Sequence, residues 1–134
     1  MRLKASQATS VNPAIDLFPE EAQLLLRLAL VAIGRRRFVA ADRLLTALEG
    51  IRPGAEPLLV ARVVAAFGQQ AFGQARALLE VAAERHRGLS PWCQLFYGIA
   101  LAKTGEGVRA RQQWQAVIAR GEPDLAVRFA RDLL

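Results

Sequence analysis

Apolar residues recur along this chain at intervals of three and four positions, and this spacing predicts α-helices from about residue 19 to the end. Helix starts are marked by acids beside proline, as in Pro19-Glu20-Glu21 and Glu56-Pro57, because proline suits the first helical turn and acids complement the helix dipole. Glycine and proline mark the helix ends. The pattern predicts seven helices, at about residues 19–34, 38–49, 56–67, 72–85, 91–103, 106–120 and 123–134.

One stretch of this pattern occurs more than once. Residues 38–48, FVAADRLLTAL, match residues 72–82, FGQARALLEVA, thirty-four positions later, and a looser third copy contains Ala110, Trp114 and Val117 when one extra residue is allowed. A 34-residue period, with a small residue followed one turn later by a large apolar one, is the signature of tetratricopeptide repeats. The predicted fold class is therefore all-α, a tetratricopeptide-like array of three helical hairpins plus a C-terminal capping helix.

The repeats also set the predicted domain organisation. Polar residues and a proline predict a flexible N-terminal arm over residues 1–18, followed by a single tetratricopeptide-like domain over residues 19–134. A capping helix is expected because the last repeat must cover its open apolar face. The predicted repeats cover about residues 22–55, 56–89 and 90–121, and the capping helix covers about residues 123–134.

Three positions within the repeats bear on helix contacts. Gly98 lies where this class of repeat needs a small residue for close helix packing, and Gly68 lies where a left-handed residue would end the third helix. Arg62 occupies a position that usually takes a large apolar side chain, and the pattern gives no reason for an arginine there.

The first helix of each hairpin is expected to line a concave surface, so its exposed face is where we look for function. In the first helix one apolar stripe contains Leu25, Leu28, Ala29 and Ala32, and we expect it to pack internally while the neighbouring stripe faces the groove. The predicted groove residues are Leu26, Leu30, Ile33, Val60, Val64, Phe67, Trp92, Leu95 and Ile99.

This predicted groove is apolar, and Lys103 at its edge is its one basic residue. It therefore does not resemble a clamp for the carboxylate tail of a partner. An exposed apolar strip of this length is unusual in a monomer, so the sequence predicts that an amphipathic partner helix binds there. Two alternatives within the chain itself stay open: the N-terminal arm fills the groove, or the array curls tightly and hides it.

The net charge of +6 and the isoelectric point of about 11.0 raise nucleic acid as a partner. Charged residues fall mainly at predicted helix ends, however, where they compensate helix dipoles, and the aromatic residues occupy apolar positions. Nucleic-acid binding is therefore the less favoured hypothesis.

Residues typical of catalysis or metal binding are few in this chain. The one histidine, His86, lies between two arginines and is expected to be a solvated surface residue, and the lone Cys93 is expected in the core. Neither a metal-ligand spacing nor a phosphate-binding glycine pattern is present. These features predict a protein without enzymatic activity, cofactor or metal. The absence of an apolar signal core or of roughly 20 consecutive apolar residues predicts a cytoplasmic protein without a membrane span.

Two motifs also carry a family resemblance. The segment Gly68-Gln69-Gln70-Ala71-Phe72-Gly73-Gln74-Ala75, and Pro91-Trp92 with the apolar residues after it, resemble the repeat junction and last hairpin of the small tetratricopeptide-like chaperones of bacterial type III secretion. The likeness covers roughly residues 38–134. It implies a bacterial cytoplasmic chaperone, with a role in virulence, that holds the amphipathic helix of a needle subunit in its groove and prevents premature polymerisation.

The same resemblance implies a small helical co-chaperone that packs on the N-terminal region. Two different functions are also compatible with the sequence: another repeat protein of type III secretion, and a generic tetratricopeptide scaffold in a regulatory complex. Repeat architecture alone does not choose among them.

Overall fold

The computed structural model describes residues 19–121 and 125–134, and these residues form seven α-helices and no strands. The predicted arm at residues 1–18 and the predicted start of the last helix lie outside the described residues. The helices are α1 (Glu20–Gly34), α2 (Phe38–Ile51), α3 (Glu56–Gly68), α4 (Phe72–His86), α5 (Pro91–Lys103), α6 (Gly107–Ala119) and α7 (Leu125–Leu133). The all-α prediction with repeated hairpins is confirmed.

The chain divides into two compact units, and the division falls after Ala65, within α3. The first unit contains α1, α2 and most of α3, and the second contains the end of α3 and α4 to α7.

The same backbone turn follows the first helix of each repeat. In each turn one residue adopts a left-handed conformation, and the N–H of the next residue donates to a carbonyl five positions earlier, as in a Schellman motif. The left-handed residues are Arg36 (φ 61°), Gln70 (φ 57°) and Gly105 (φ 88°). The closing bonds are Arg37 to Ala32, Ala71 to Ala66 and Glu106 to Leu101, each 2.8 Å.

These turns show the repeat in the backbone itself, and they correct one prediction. Gly68 is the last residue of α3, and the left-handed position belongs to Gln70. The helix ends two residues before the left-handed residue, so a glycine at the helix end does not by itself mark that position.

We expect Gln70→Gly to stabilise the protein by about 0.5–1 kcal/mol, because a side chain in the left-handed region is strained and glycine is not. The reverse change, Gly105→Ala, introduces a side chain at the equivalent position and should destabilise by about 1 kcal/mol. Urea unfolding followed by circular dichroism measures both. Gln69→Gly is the control, since Gln69 lies outside the left-handed region and its replacement should not stabilise.

In the first unit, α1 packs against α2 around a single buried core. The buried stripe of α1 is offset by one position from the predicted internal stripe, and Leu28 of the predicted stripe is 48% exposed. Because α1 is apolar on nearly every side, periodicity alone could not decide which stripe packs inward. The core consists of Ala22, Leu26, Ala29, Ile33, Ala41, Leu45, Leu48, Leu58 and Ala61.

The structure explains why an arginine, Arg62 of α3, occupies a position that usually takes an apolar side chain. Its Nη1 is 2.9 Å from Oδ1 of Asp42, its Nη2 donates to Oγ1 of Thr46 over 3.3 Å, and its Nε is 3.8 Å from Oε2 of Glu49. These three partners lie on one face of α2, at the spacing of successive helical turns. Arg62 therefore joins α3 to α2 through polar contacts, at a position where other repeats use an apolar side chain.

In the second unit, α5 packs against α4, α6 and α7, and α7 also packs against α6. The small repeat residues Ala75 and Ala110 are fully buried, as predicted. Ser90 caps α5 by accepting the N–H of Cys93 at 3.3 Å, and Pro91 is the first residue of that helix. The last helix α7 buries Ala126, Val127 and Ala130, which confirms the expected capping helix.

Gly98 allows a close approach between α5 and α6. The indole of Trp114 lies directly over it, and Trp114 Nε1 donates to the carbonyl of Leu95 over 3.2 Å. Gly98 is buried and Trp114 is 7% exposed. The predicted role of Gly98 as a small residue for close packing is confirmed, and its partner is this tryptophan.

Candidate partner-binding surface

Five aromatic side chains of the second unit form a row in which each ring contacts the next. We call this set the aromatic row: Phe72, Phe67, Phe96, Trp92 and Phe129. Successive ring centroids are 5.7, 5.9, 6.0 and 5.9 Å apart, and the Phe67 and Phe96 rings meet edge to face. These separations fall within the range of favourable aromatic contacts.

Four helices contribute to the aromatic row. Trp92 and Phe96 lie one turn apart on the same face of α5. Phe67 lies near the end of α3 and Phe72 begins α4, so the tight turn between them brings their rings together. Phe129 reaches Trp92 because α7 packs on α5. The row is thus assembled by the repeat turn and by the capping helix.

The aromatic row lies at the surface of the unit. Phe67, Phe72, Trp92 and Phe96 are half-buried, and Phe129 is 50% exposed. The outer face of α7 extends the apolar surface, because its residues at four-residue spacing from Phe129 are also exposed. These are Leu125, at 54%, and Leu133, at 42%.

Lys103 makes a cation–π contact with the ring at one end of the aromatic row. Lys103 follows Trp92, Phe96 and Ile99 on the same face of α5, and its Nζ lies 5.6 Å from the centroid of Phe72. This distance is typical of a cation–π contact. Lys103 is exposed, and no carboxylate in the described part of the chain lies within 4.0 Å of its ammonium group.

A polar network joins the three helices around α5. Arg76 of α4 lies between two carboxylates, with its Nε 2.9 Å from Glu80 and its Nη1 2.6 Å from Glu106. The hydroxyl of Tyr97 donates to Oε2 of Glu80 over 2.9 Å and accepts from Nη2 of Arg109 over 3.1 Å. Arg109 also contacts Glu106 at 3.1 Å. The network links α4, α5 and α6, and so stabilises α5, which carries Trp92 and Phe96 of the aromatic row.

The network shifts the pKa values of its members in the directions its contacts require. The hydrogen bond from Arg76 lowers the pKa of Glu80, and hydrogen bonds from Arg109 and then Arg76 lower the pKa of Glu106. Burial, with the hydrogen bond to Glu80, raises the pKa of the Tyr97 hydroxyl. Around neutral pH both carboxylates are therefore ionised and Tyr97 is neutral.

These lowered carboxyl pKa values predict a loss of stability in acid. A carboxyl group with a lower pKa in the folded than in the unfolded state contributes stability above the unfolded pKa, and this contribution is lost as the pH falls through the folded pKa. We expect the melting temperature of the wild type to fall more steeply below about pH 4 than that of Glu106→Gln. Thermal unfolding by circular dichroism over a pH series measures this difference.

The control for the acid experiment is Glu84→Gln. Glu84 is an exposed glutamate on α4 that takes no part in the network, so its replacement should leave the steep acid response in place. An equal change of slope in both variants would contradict the assignment of the acid response to the network.

The nine predicted groove residues divide between buried and accessible positions. Leu26, Ile33 and Leu95 are buried, at 2%, 8% and 2% exposure, so their side chains belong to the cores of their units and are not available to a partner. The cause in α1 is the one-residue offset of its packed stripe. Leu95 is buried because α5 contacts helices on more than one side, so its exposed face is narrower than helical spacing predicts.

The other six predicted residues are at least partly accessible. In the first unit Leu30 is 44% exposed, Val60 is half-buried, and Val64 is half-buried against that unit's core. In the second unit Phe67 and Trp92 belong to the aromatic row, and Ile99 is half-buried on the same face of α5 as Trp92. Their role in binding stays a prediction.

Phe72, Phe96 and Phe129 belong to the aromatic row but are not among the nine predicted groove residues. Phe96 could have been found, because it follows Trp92 by one helical turn. Phe129 lies in a helix that was interpreted as a cap alone, although the spacing of Leu125, Phe129 and Leu133 already indicated a second apolar stripe. Phe72 begins the second helix of its hairpin, whereas the predicted groove uses only the first helices.

The single histidine and the single cysteine of the sequence lie where the sequence predicts. His86 is exposed and Cys93 is buried at 1% exposure, and both placements agree with the sequence predictions. Within residues 19–121 and 125–134, no helix combines the length and apolarity that a membrane span requires.

Comparison with known proteins adds no family to this description. No family model matches the chain, and the searches of characterised proteins and of solved structures found no match.

Proposed function

We propose that this chain is a non-enzymatic helical-repeat protein that binds an amphipathic helix of a partner protein on the aromatic row. The observation that supports the proposal is the continuous series of ring contacts from Phe72 to Phe129 at the surface of one unit. Half-buried aromatic side chains supply large contact areas, and tryptophan is among the residues that contribute most to protein interfaces.

The size of the surface suits a short helix. Trp92 and Lys103 mark the ends of the exposed face of α5, and they are separated by about three helical turns, or about 16 Å. A partner helix lying along this face would bury three or four apolar side chains at about 1.5–3 kcal/mol each. This gross gain is comparable with the cost of association, about 4–15 kcal/mol, so the surface supports moderate affinity and needs well-placed aromatic contacts.

Within this proposal, the resemblance to type III secretion chaperones supplies the class of partner. The partner is a needle-type subunit of bacterial type III secretion, and the chain is a cytoplasmic chaperone that covers the subunit's self-associating helix. Subunits that assemble through head-to-tail contacts continue to add copies, so a chaperone that covers one of the contact surfaces keeps them monomeric. A small helical co-chaperone on the N-terminal region is part of the same proposal.

The test is purification of the affinity-tagged chain from its native cell, identification of the bound protein by mass spectrometry, and limited proteolysis of the complex. We expect the protected segment of the partner to be an amphipathic helix of three or more turns, and the released partner to polymerise. A protected segment without helical apolar spacing would contradict helix binding. A partner that stays monomeric after release would contradict the chaperone role and leave a scaffold role.

A further inference from the structure

The exposed face of α5 is electrically asymmetric. Trp92, Phe96 and Ile99 are apolar, and Lys103 in the last turn is the one charged residue of this face. Its ammonium group rests 5.6 Å from the centre of the Phe72 ring, at one end of the aromatic row. The cation is thereby held beside the apolar surface while it stays exposed to solvent.

The carboxylates of the nearby polar network do not neutralise Lys103. Glu80 and Glu106 are held by Arg76 and Arg109. In the described residues, Lys103 has no ion pair, and its cation–π contact with Phe72 leaves the ammonium group free to take a carboxylate. A partner carboxylate that arrives with the apolar face would meet a cation whose solvation is already reduced on its aromatic side.

We propose that the partner helix carries a carboxylate side chain near one end of its apolar face, and that pairing of this carboxylate with Lys103 sets the direction of the helix along the aromatic row. The inference rests on the proposed function. Apolar contacts alone give little preference between the two directions of a helix. A reversed helix would place its carboxylate about 16 Å from Lys103, which is beyond the Debye length of about 8 Å in physiological salt.

Arg128, the sequence neighbour of the last ring of the aromatic row, provides an internal control. Arg128 is exposed and precedes Phe129 on α7, but it has no ring contact like that of Lys103. If acidic peptides were attracted only by the net positive charge of the protein, loss of either cation would reduce their affinity equally. A carboxylate that pairs at the Lys103 end would respond to Lys103 alone.

The experiment uses the full chain and three fluorescent amphipathic peptides of about 18 residues that share one leucine stripe. The first carries two glutamates in its first turn, the second carries them in its last turn, and the third has glutamine at all these positions. Binding is measured by anisotropy with the wild type, Lys103→Met and Arg128→Met. We expect each acidic peptide to bind the wild type about fivefold more tightly than the neutral peptide, and this advantage to disappear in Lys103→Met and persist in Arg128→Met.

A second readout gives the direction. A quencher attached to the end of the peptide opposite its glutamates should reduce tryptophan fluorescence more than a quencher on the glutamate end, because it would lie near Trp92. Three results would each overturn this inference and leave the proposed function standing. They are equal binding of acidic and neutral peptides, an equal loss of the acidic advantage in Lys103→Met and Arg128→Met, and equal quenching from both ends of the peptide. Failure of all three peptides to bind would overturn the proposed function and this inference with it.

Discussion

Gly98→Ala is expected to destabilise the protein by about 3 kcal/mol. A methyl carbon on Gly98 would lie 2.7 Å from Cδ1 and 2.8 Å from Cε2 of Trp114, and it would also meet Nε1. The indole would have to move, which would break its hydrogen bond to Leu95 and open the contact between α5 and α6. Overpacking and the lost bond both contribute to the expected cost. Urea unfolding followed by circular dichroism and by tryptophan fluorescence measures it.

The matched control for this substitution is Gly73→Ala. Gly73 lies in α4 of the same unit, and a methyl group there would meet nothing within 4 Å. Because alanine favours a helix more than glycine, Gly73→Ala should leave stability unchanged or raise it by about 0.5 kcal/mol. A small effect of Gly98→Ala, comparable with that of Gly73→Ala, would contradict the close packing of Trp114 on Gly98.

Trp92→Ala is expected to weaken binding of the partner about 30-fold, which corresponds to about 2 kcal/mol. Trp92 contacts both Phe96 and Phe129, so its loss interrupts the aromatic row between α5 and α7. Phe129→Ala, at the exposed end of the row, should weaken binding less, by about tenfold. Calorimetric titration with a synthetic peptide that spans the protected helix of the partner measures both dissociation constants.

Val81→Ala is the control that distinguishes binding at the aromatic row from nonspecific binding to any exposed apolar side chain. Val81 on α4 is 55% exposed, close to the 50% of Phe129. It follows Phe72 by nine residues, which places it on the opposite side of that helix. Its replacement should change the dissociation constant less than twofold. A loss of affinity as large as that of Phe129→Ala would show that the aromatic row is not the binding surface. Thermal unfolding of each variant checks that the fold is retained.

The helix boundaries were predictable because local chemistry determines them. Ser90-Pro91 gives a side-chain cap and a first helical residue, and the structure begins α5 at Pro91 as predicted. The small residues Ala41, Ala75 and Ala110 identified the repeat, and all three are buried. Capping, turn formation and small-residue packing depend on a few neighbouring residues, so they can be inferred from sequence.

Which face of a helix packs inward depends on partners distant in sequence. Leu26 and Leu28 are equally apolar, yet Leu26 is buried and Leu28 is exposed, because α2 contacts the stripe that contains Leu26. The role of Arg62 also depends on distant residues, since Asp42 and Thr46 become its partners when α3 packs on α2. Periodicity identifies an apolar helix but does not specify its neighbours.

The candidate surface was only partly predictable, because some of its contacts join residues that are distant in sequence. Trp92 and Phe67 followed from helical spacing. The connection between them runs through Phe96, and its extension to Phe129 requires α7 to pack on α5. These contacts turn separate apolar positions into one continuous row, and they could be recognised only in the folded structure.

Site-specific photo-cross-linking determines whether the partner helix lies on the aromatic row. A photoreactive phenylalanine analogue replaces Trp92 in one variant and Val81 in another, and both are activated in the native complex. If the partner helix lies on the aromatic row, position 92 cross-links to the apolar face of one amphipathic helix of the partner and position 81 gives little product. Cross-linking from position 81 in preference to position 92, or no product from position 92 in an intact complex, would contradict binding on the aromatic row.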